Sequence, residues 1–140
     1  MEIREFRYPD DLSRVQQLWR SIEKGVNLGR SDQPGEIEKK LARDPELFLV
    51  AQEGDAIIGT VIGGYDGRRG LVYHLAVAAG NRGKGLGARL MDMLEARLRA
   101  KGCIRCYLLV TTDNLEAMQF YEKHGWERMD FVVPYAKDLD

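Results

Sequence analysis

The stretch Val77-Ala78-Ala79-Gly80-Asn81-Arg82-Gly83-Lys84-Gly85-Leu86-Gly87-Ala88 constrains the fold of this chain more than any other. It starts at the end of an apolar strand-like run, Leu71 to Val77. It then leads straight into Leu86, Leu90, Met93, Leu94 and Leu98, which line one face of a helix. A strand therefore has to turn directly into a helix here. Glycines at 83, 85 and 87 leave backbone N–H groups unshielded at the helix start, where about half a positive charge sits. Arg82 and Lys84 add full charges beside it. Such a turn suits a pyrophosphate, because the donors converge without side-chain bulk. The plainer alternative is a glycine-rich connector whose cations are simply solvated.

Two nucleotide motifs compete for this turn. A P-loop needs Gly-Lys followed by Ser or Thr, whereas here Lys84 is followed by Gly85, so that reading fails. A dinucleotide fingerprint fits formally as Gly83-x-Gly85-x-x-Ala88, with Asp113 ending the following strand. Against it, the first glycine should lie at the strand's end, and Val77 is well short of Gly83. The chain upstream also reads as helices and a meander, with no room for two mononucleotide halves.

At 140 residues the chain makes one domain, residues 1–140. Apolar residues at 44% and charged residues at 31% fit a globular protein. Lys and Arg number 21 against 22 Asp and Glu, a net charge of -1, which argues against a dedicated nucleic-acid surface. No apolar run is long enough to span a membrane, and Met1-Glu2-Ile3-Arg4 carries no secretory segment, so a cytoplasmic location is expected. Cys103 and Cys106 are too few for a disulfide scaffold. With only His74 and His124 as imidazoles, and no paired spacing, Cys103-x-x-Cys106 is not read as a metal site.

Around the turn, Met1 to Arg7 reads as a strand. Pro9-Asp10-Asp11 opens a helix carrying Leu12, Val15, Leu18, Trp19 and Ile22. Ser31 or Asp32 with Pro34 starts a short helix that stops before Asp44-Pro45. Leu47 to Ala51, Ala56 to Ile62 and Leu71 to Val77 make a three-stranded meander. Gly102 caps the long helix, Ile104 to Val110 is a strand, and a last helix carries Leu115, Met118, Phe120 and Tyr121. Trp126 to Leu139 reads as a last strand or hairpin. The order predicts an α/β fold with a mixed sheet covered by helices.

Arg82-x-x-Gly85-x-Gly87 after Leu75-Ala76-Val77 resembles the acetyl-CoA-binding motif of the GCN5-related N-acetyltransferases (GNAT family), Gln/Arg-x-x-Gly-x-Gly/Ala. Asn114-x-x-Ala117-x-x-x-Tyr121-x-x-x-Gly125-Trp126 resembles that family's second element, where Trp126 stands in place of the usual Phe. Two motifs in order, one helix and one strand apart, are far more specific than either alone. The resemblance covers roughly Leu47 to Trp126. With Gly59 to Gly67 and the first helix, it is similar to small bacterial acetyltransferases of the YpeA type.

The resemblance implies a splayed, mostly antiparallel sheet of six or seven strands flanked by four helices. It implies acetyl-CoA as co-substrate, its pantetheine arm bonded to the backbone of Leu75, Ala76 and Val77 like an added strand. Its pyrophosphate would be held by Arg82, Gly83, Lys84, Gly85, Leu86, Gly87 and Ala88, with Asn114 as a further hydrogen-bonding group. Tyr121 is then the general acid to the CoA thiolate, since a phenol is protonated at neutral pH; the alternative is an aromatic core residue beside Phe120. The base that deprotonates the amine is left open between His74, Tyr73 and a relayed water. Some relatives carry a Glu on the following strand, where this chain has Leu109. The expected partner is a small-molecule or peptide amine, with no nucleic acid and no membrane, and many relatives are homodimers. The rival function is a non-catalytic acyl-CoA- or nucleotide-binding module.

Overall fold

The run Phe48-Leu49-Val50-Ala51 is apolar at every position because it is covered on both faces. In the computed structural model of the chain, which describes residues 1–140, Phe48 and Val50 join one hydrophobic cluster, and Leu49 and Ala51 join another. This alternation is the pleat of β2 (Phe48–Glu53). The other strands are β1 (Glu2–Glu5), β3 (Ala56–Tyr65), β4 (Gly70–Val77) and β5 (Cys106–Leu108). They lie in the order β1-β2-β3-β4-β5, antiparallel except for the β4–β5 pair. That last pair is parallel because a long helix crosses between its strands.

Helices α1 (Leu12–Ser21) and α2 (Pro34–Arg43) cover the Phe48 face with Val15, Leu18, Trp19 and Ile37. Helices α3 (Leu86–Ala100) and α4 (Leu115–Lys123) cover the Leu49 face, with Phe120 and Tyr121 of α4 packed against it. The inner face of α3 carries Leu86, Leu90, Met91, Leu94 and Leu98, with Met93 half-buried against the same cluster. No helix is long and apolar enough to cross a membrane.

The sheet has five strands, not the six or seven expected. The strand expected over Trp126 to Leu139 does not form: residues 126–140 follow α4 as an irregular segment. A strand exists only where a partner meets its donors. β5 offers just three residues, and Pro134 removes an N–H from the middle of the apolar run Phe131-Val132-Val133 and Tyr135. Phe131, Val133 and Tyr135 stay exposed, and the segment is tied down by Arg30 to Asp138 at 3.3 Å and to Asp140 at 2.6 Å.

One irregularity shapes the functional end of the sheet. Thr60 faces Ala76 and Ile62 faces Tyr73, so His74 and Leu75 together oppose the single residue Val61. This is a β-bulge, and His74 takes a left-handed φ of 52° to make it. The indole N–H of Trp19 donates to Thr60 Oγ1 at 2.9 Å, and the Thr60 hydroxyl donates to the His74 carbonyl at 2.9 Å. Helix α1 thus pins the bulge through a fully buried threonine. β4 and β5 pair only from Gly70/Cys106 to Val72/Leu108, so the two strands part where the bulge begins.

The position of α1 depends in turn on Asp11, which is 1% exposed. Its carboxylate accepts from Arg4 at 2.7 and 2.9 Å, from Arg14 at 2.6 Å and from the Arg7 N–H at 2.8 Å. Burial alone pushes its pKa up, but the hydrogen bonds from Arg4 and Arg7 and the charges of Arg4 and Arg14 outweigh that and hold it below the ordinary carboxylate value. A depressed carboxylate stabilises the fold above its unfolded value, and this contribution is lost as pH falls through the lower folded value. Asp11→Asn is expected to cost about 3 kcal/mol, because Arg4 is left buried without its partner. Urea denaturation at neutral pH measures this loss. The same titration repeated below about pH 4 should show wild type and variant converging.

Candidate active site

The turn between β4 and α3 is built from main chain. Gly83 and Gly85 have φ of 77° and 81°, a region that side chains disfavour, and Gly85 stands at the N-cap of α3 with no side chain to satisfy the helix. The Arg89 N–H is the first to find a helical acceptor, the Gly85 carbonyl at 3.1 Å. The N–H groups of residues 83 to 88 have no acceptor in the protein. Arg82, Lys84 and Arg89 are exposed around them. Arg82 donates from Nε to the Val77 carbonyl at 3.1 Å, which folds the turn back on the strand and leaves its two terminal nitrogens free. A cluster of unpaired N–H groups at a helix start, flanked by cations, is an anion site.

Beside it lies the edge that the bulge opens. The Ala78 N–H donates to the Ile58 carbonyl at 2.8 Å, and Ala76 lies opposite Thr60. Because main-chain groups alternate along a strand, those of Ala76 turn toward β3, whereas those of Leu75 and Val77 turn away from it into the gap left by β5. The structure thus divides the three predicted residues: the main-chain groups of Leu75 and Val77 turn away from β3, the Val77 carbonyl being taken by Arg82 Nε, and Ala76 is used in pairing.

Helix α4 joins the second motif to the first. A Cβ added to Gly87 would lie 3.4 Å from the Phe120 ring, so the absence of a side chain there lets α4 abut the start of α3. Asn114 is 9% exposed and caps α4, its Oδ1 accepting from the Ala117 N–H at 3.2 Å. Its Nδ2 lies beside Gly25 in the loop after α1. Tyr121 stands edge-on to Phe120 at 5.3 Å and to Trp126 at 6.0 Å between ring centres. Burial pushes its phenol up to about 12. Its hydroxyl has no partner in the protein, and no fully buried side-chain oxygen or nitrogen is left unpartnered, so the hydroxyl reaches solvent.

The base candidates separate. Burial, then the charges of Asp32 and Asp44, push the Tyr73 phenol up to about 12, so it stays protonated and cannot accept a proton. The His74 ring lies 2.7 Å from the Asp32 carboxylate through Nε2. The sequence marks Asp32 as a helix-start residue, in the segment 27–33 that the family resemblance places near the acceptor, but nothing there connects it to a histidine 42 positions on.

A cavity of about 1130 Å³ lies along the outer side of β5, between α4 and residues 126–134. Tyr121 borders it; residues 82 to 88 do not. No three His, Cys, Asp or Glu side chains come together as a metal site. Cys103 is buried, and burial pushes up the Cys106 thiol.

With this geometry in place, the likeness to known proteins covers the chain from end to end. An acetyltransferase of Sodalis glossinidius is 40% identical over 139 residues, 99% of this chain and 96% of that one. An acetyltransferase of Pectobacterium atrosepticum is 42% identical over 133 residues, 95% and 92% of the two chains. The PaiA N-acetyltransferase of Thermoplasma acidophilum, solved in complex with coenzyme A, shares the fold with a TM-score of 0.80 at 21% identity, over 94% of this chain and 92% of that one. The profile of the acetyltransferase (GNAT) family matches residues 12–126, which span both motifs and the bulged strand between the helical layers. The chain belongs to the GNAT family of acetyltransferases.

Proposed function

We propose that this chain transfers the acetyl group of acetyl-CoA to a primary amine by direct attack, with Tyr121 as general acid to the departing thiolate. The observation that carries this reading is the row of unpartnered N–H groups from 83 to 88 beside the strand edge that begins at Leu75, beyond the end of the β4–β5 ladder. A diphosphate matches the first and an amide-bearing pantetheine arm matches the second, on one continuous surface. The match to relatives named as acetyltransferases and the fold shared with a coenzyme A complex support the same ligand.

Direct attack is favoured by what the cysteines are. The buried Cys103 and the raised thiol of Cys106 are poor nucleophiles, since the thiolate is the reactive form. Tyr121 has an O–H that no protein group claims, and a pKa of about 12 keeps it protonated at neutral pH. It is able to donate to a sulfur that gains charge as the C–S bond breaks. Asn114 contributes first as the cap that starts α4, and through α4 it sets where the phenol lies.

Thermal unfolding with acetyl-CoA, and separately with NAD, tests the cofactor. At a hundredfold excess over Kd, a ligand that binds only the folded chain adds about 2.7 kcal/mol. Acetyl-CoA should give such a shift and NAD none, and a shift with NAD alone would overturn the reading. Gly85→Val, which forces a branched side chain into a left-handed N-cap, should weaken acetyl-CoA binding by about tenfold or more.

Tyr121→Phe should bind acetyl-CoA as the wild type does and lose about 10²-fold in kcat. Steady-state release of free thiol with an amine acceptor reads this out, and full turnover by the variant would leave Tyr121 as a packing residue only. Asn114→Ala should cost about 1 kcal/mol of stability in urea, with Asn114→Asp recovering most of it as an alternative cap.

A further inference from the structure

The route above gives the sulfur its proton but leaves the amine's protons without a destination. An amine arrives largely as ammonium at neutral pH, so a group on the acceptor side has to take a proton before attack. His74 and Asp32 are placed for this. Asp32 ends the turn Arg30–Asp32 between α1 and α2. Its Oδ2 accepts from the Gly29 N–H at 2.9 Å, and its Oδ1 lies 2.7 Å from His74 Nε2. The two side chains are only 11% and 12% exposed. The His74 ring is held edge-on to Trp19 at 4.8 Å and to Tyr73 at 5.4 Å, on a backbone locked by the bulge.

This arrangement sets the tautomer. A carboxylate only accepts, so the neutral ring carries its proton on Nε2 and keeps its lone pair on Nδ1. Nδ1 has no partner in the protein, and since no fully buried side-chain nitrogen lacks one, Nδ1 reaches solvent. His74 also stands at the vertex of the gap. Val72 is the last residue of β4 paired with β5, and the free main-chain groups begin at Leu75. Its ring rests against Trp19 in the α1–α2 layer, whereas Tyr121 belongs to the α3–α4 layer. A thioester seated in the gap would meet an acid from one layer and a base from the other.

We infer that the Asp32–His74 pair is the acceptor-side base: Nδ1 takes a proton from the incoming ammonium, and Asp32 stabilises the imidazolium that results. The inference rests on the acetyl-transfer reading. The freed amine lone pair forms the N–C bond, the C–S bond breaks, and its electron pair leaves on sulfur. Of the two protons the nitrogen gives up, one passes through Nδ1 to solvent. The other returns through water to Tyr121, replacing the proton that the phenol gave to the thiolate. The same pair that holds the α1–α2 loop to the sheet would then be the group that meets the substrate.

Two measurements decide it. The chain has only two histidines, so ring nitrogen NMR resolves both. His124 Nδ1 lies 2.7 Å from the Phe120 carbonyl and should carry its proton there, while neutral His74 should carry it on Nε2. A His74 proton on Nδ1 overturns the proposal. The second measurement is turnover of His74→Gly, in which glycine accepts the left-handed φ and leaves a hole where the ring was. Spermidine, kanamycin and a peptide with a free amino terminus serve as acceptors. With whichever of these the wild type uses, the variant should keep its affinity for acetyl-CoA, lose about 10²-fold or more in kcat, and recover on addition of free imidazole. Asp32→Asn, whose amide donates to Nε2 and moves the ring proton onto Nδ1, should lose activity that imidazole does not restore. A fully active His74→Gly, or a folded, fully active Asp32→Asn, overturns the proposal while leaving the acetyl-transfer reading intact. A wild-type chain that neither binds acetyl-CoA nor acetylates an amine overturns both.

Discussion

The two hydrogen bonds of Thr60, one from the Trp19 indole and one to the His74 carbonyl, hold in place the conformation on which the site depends. A histidine at φ 52° costs about 1–3 kcal/mol relative to regular strand. Two hydrogen bonds of about 1 kcal/mol each, together with the burial of Trp19, offset that cost. Without the bulge, β4 would stay in step with β5 and its ladder would continue past Val72. Leu75 and Val77 would then pair with strand residues and have nothing left to offer a ligand. The bulge converts ordinary sheet into an edge inside the molecule, where in the proposed reading a linear amide chain would complete the ladder that protein leaves unfinished.

The two ends of the gap are made of different material. At the proposed coenzyme end the groups on offer are the main-chain N–H donors of residues 83 to 88 and the backbone of β4 from Leu75, backed by exposed cations. Side-chain identity matters there mostly where a side chain must be absent: at Gly85, which needs a left-handed φ, and at Gly87, where the Phe120 ring comes close. At the opposite end the groups are side chains, Asp32 and His74, carried by the α1–α2 connection and the bulge. Main-chain recognition survives wide sequence change as long as the glycines stay, whereas a single substitution rewrites a side-chain surface. On the proposed reading, a fold so divided would keep one coenzyme while its acceptor varies.

This division also explains how much could be read in advance. The turn and the α4 motif are local patterns: glycine positions, a helix period and an N-cap residue lie within a few residues of one another, and they mark Gly83, Gly85, Gly87, Asn114 and Tyr121 as candidates from sequence alone. The helices and the meander followed from periodicity for the same reason. Long-range pairing carries no such mark. The run Phe131-Val132-Val133 has the residues of a strand, yet β5 is three residues long and gives it no ladder, so the sheet stops at five strands. The parity of Leu75, Ala76 and Val77 depends on a bulge whose cause, Thr60, lies on another strand and hydrogen-bonds to a third element. Asp32 reads in the sequence as a helix-start residue, whereas α2 starts from Gln33 and the fold directs the Asp32 carboxylate at Gly29 and His74.

The pKa of Tyr121 raises a question of driving force that the pocket itself answers. A phenol at about 12 is a weaker acid than an ordinary thiol near 8.5, so in water its proton would not pass to a thiolate. The cause of the shift is burial, which penalises the phenolate because it is an anion out of water. A thiolate leaving into the same surroundings is penalised in the same way, and its affinity for a proton rises with that of the phenol. The mismatch seen against bulk solvent therefore narrows as both groups lose their water. In the proposed mechanism desolvation would do two things at once: keep Tyr121 protonated until sulfur carries charge, and make that charge basic enough to take the proton. The proposed base has different surroundings: the His74 ring faces the Asp32 carboxylate against the α1–α2 layer, whereas Tyr121 packs in the α3–α4 layer on the other side of the sheet.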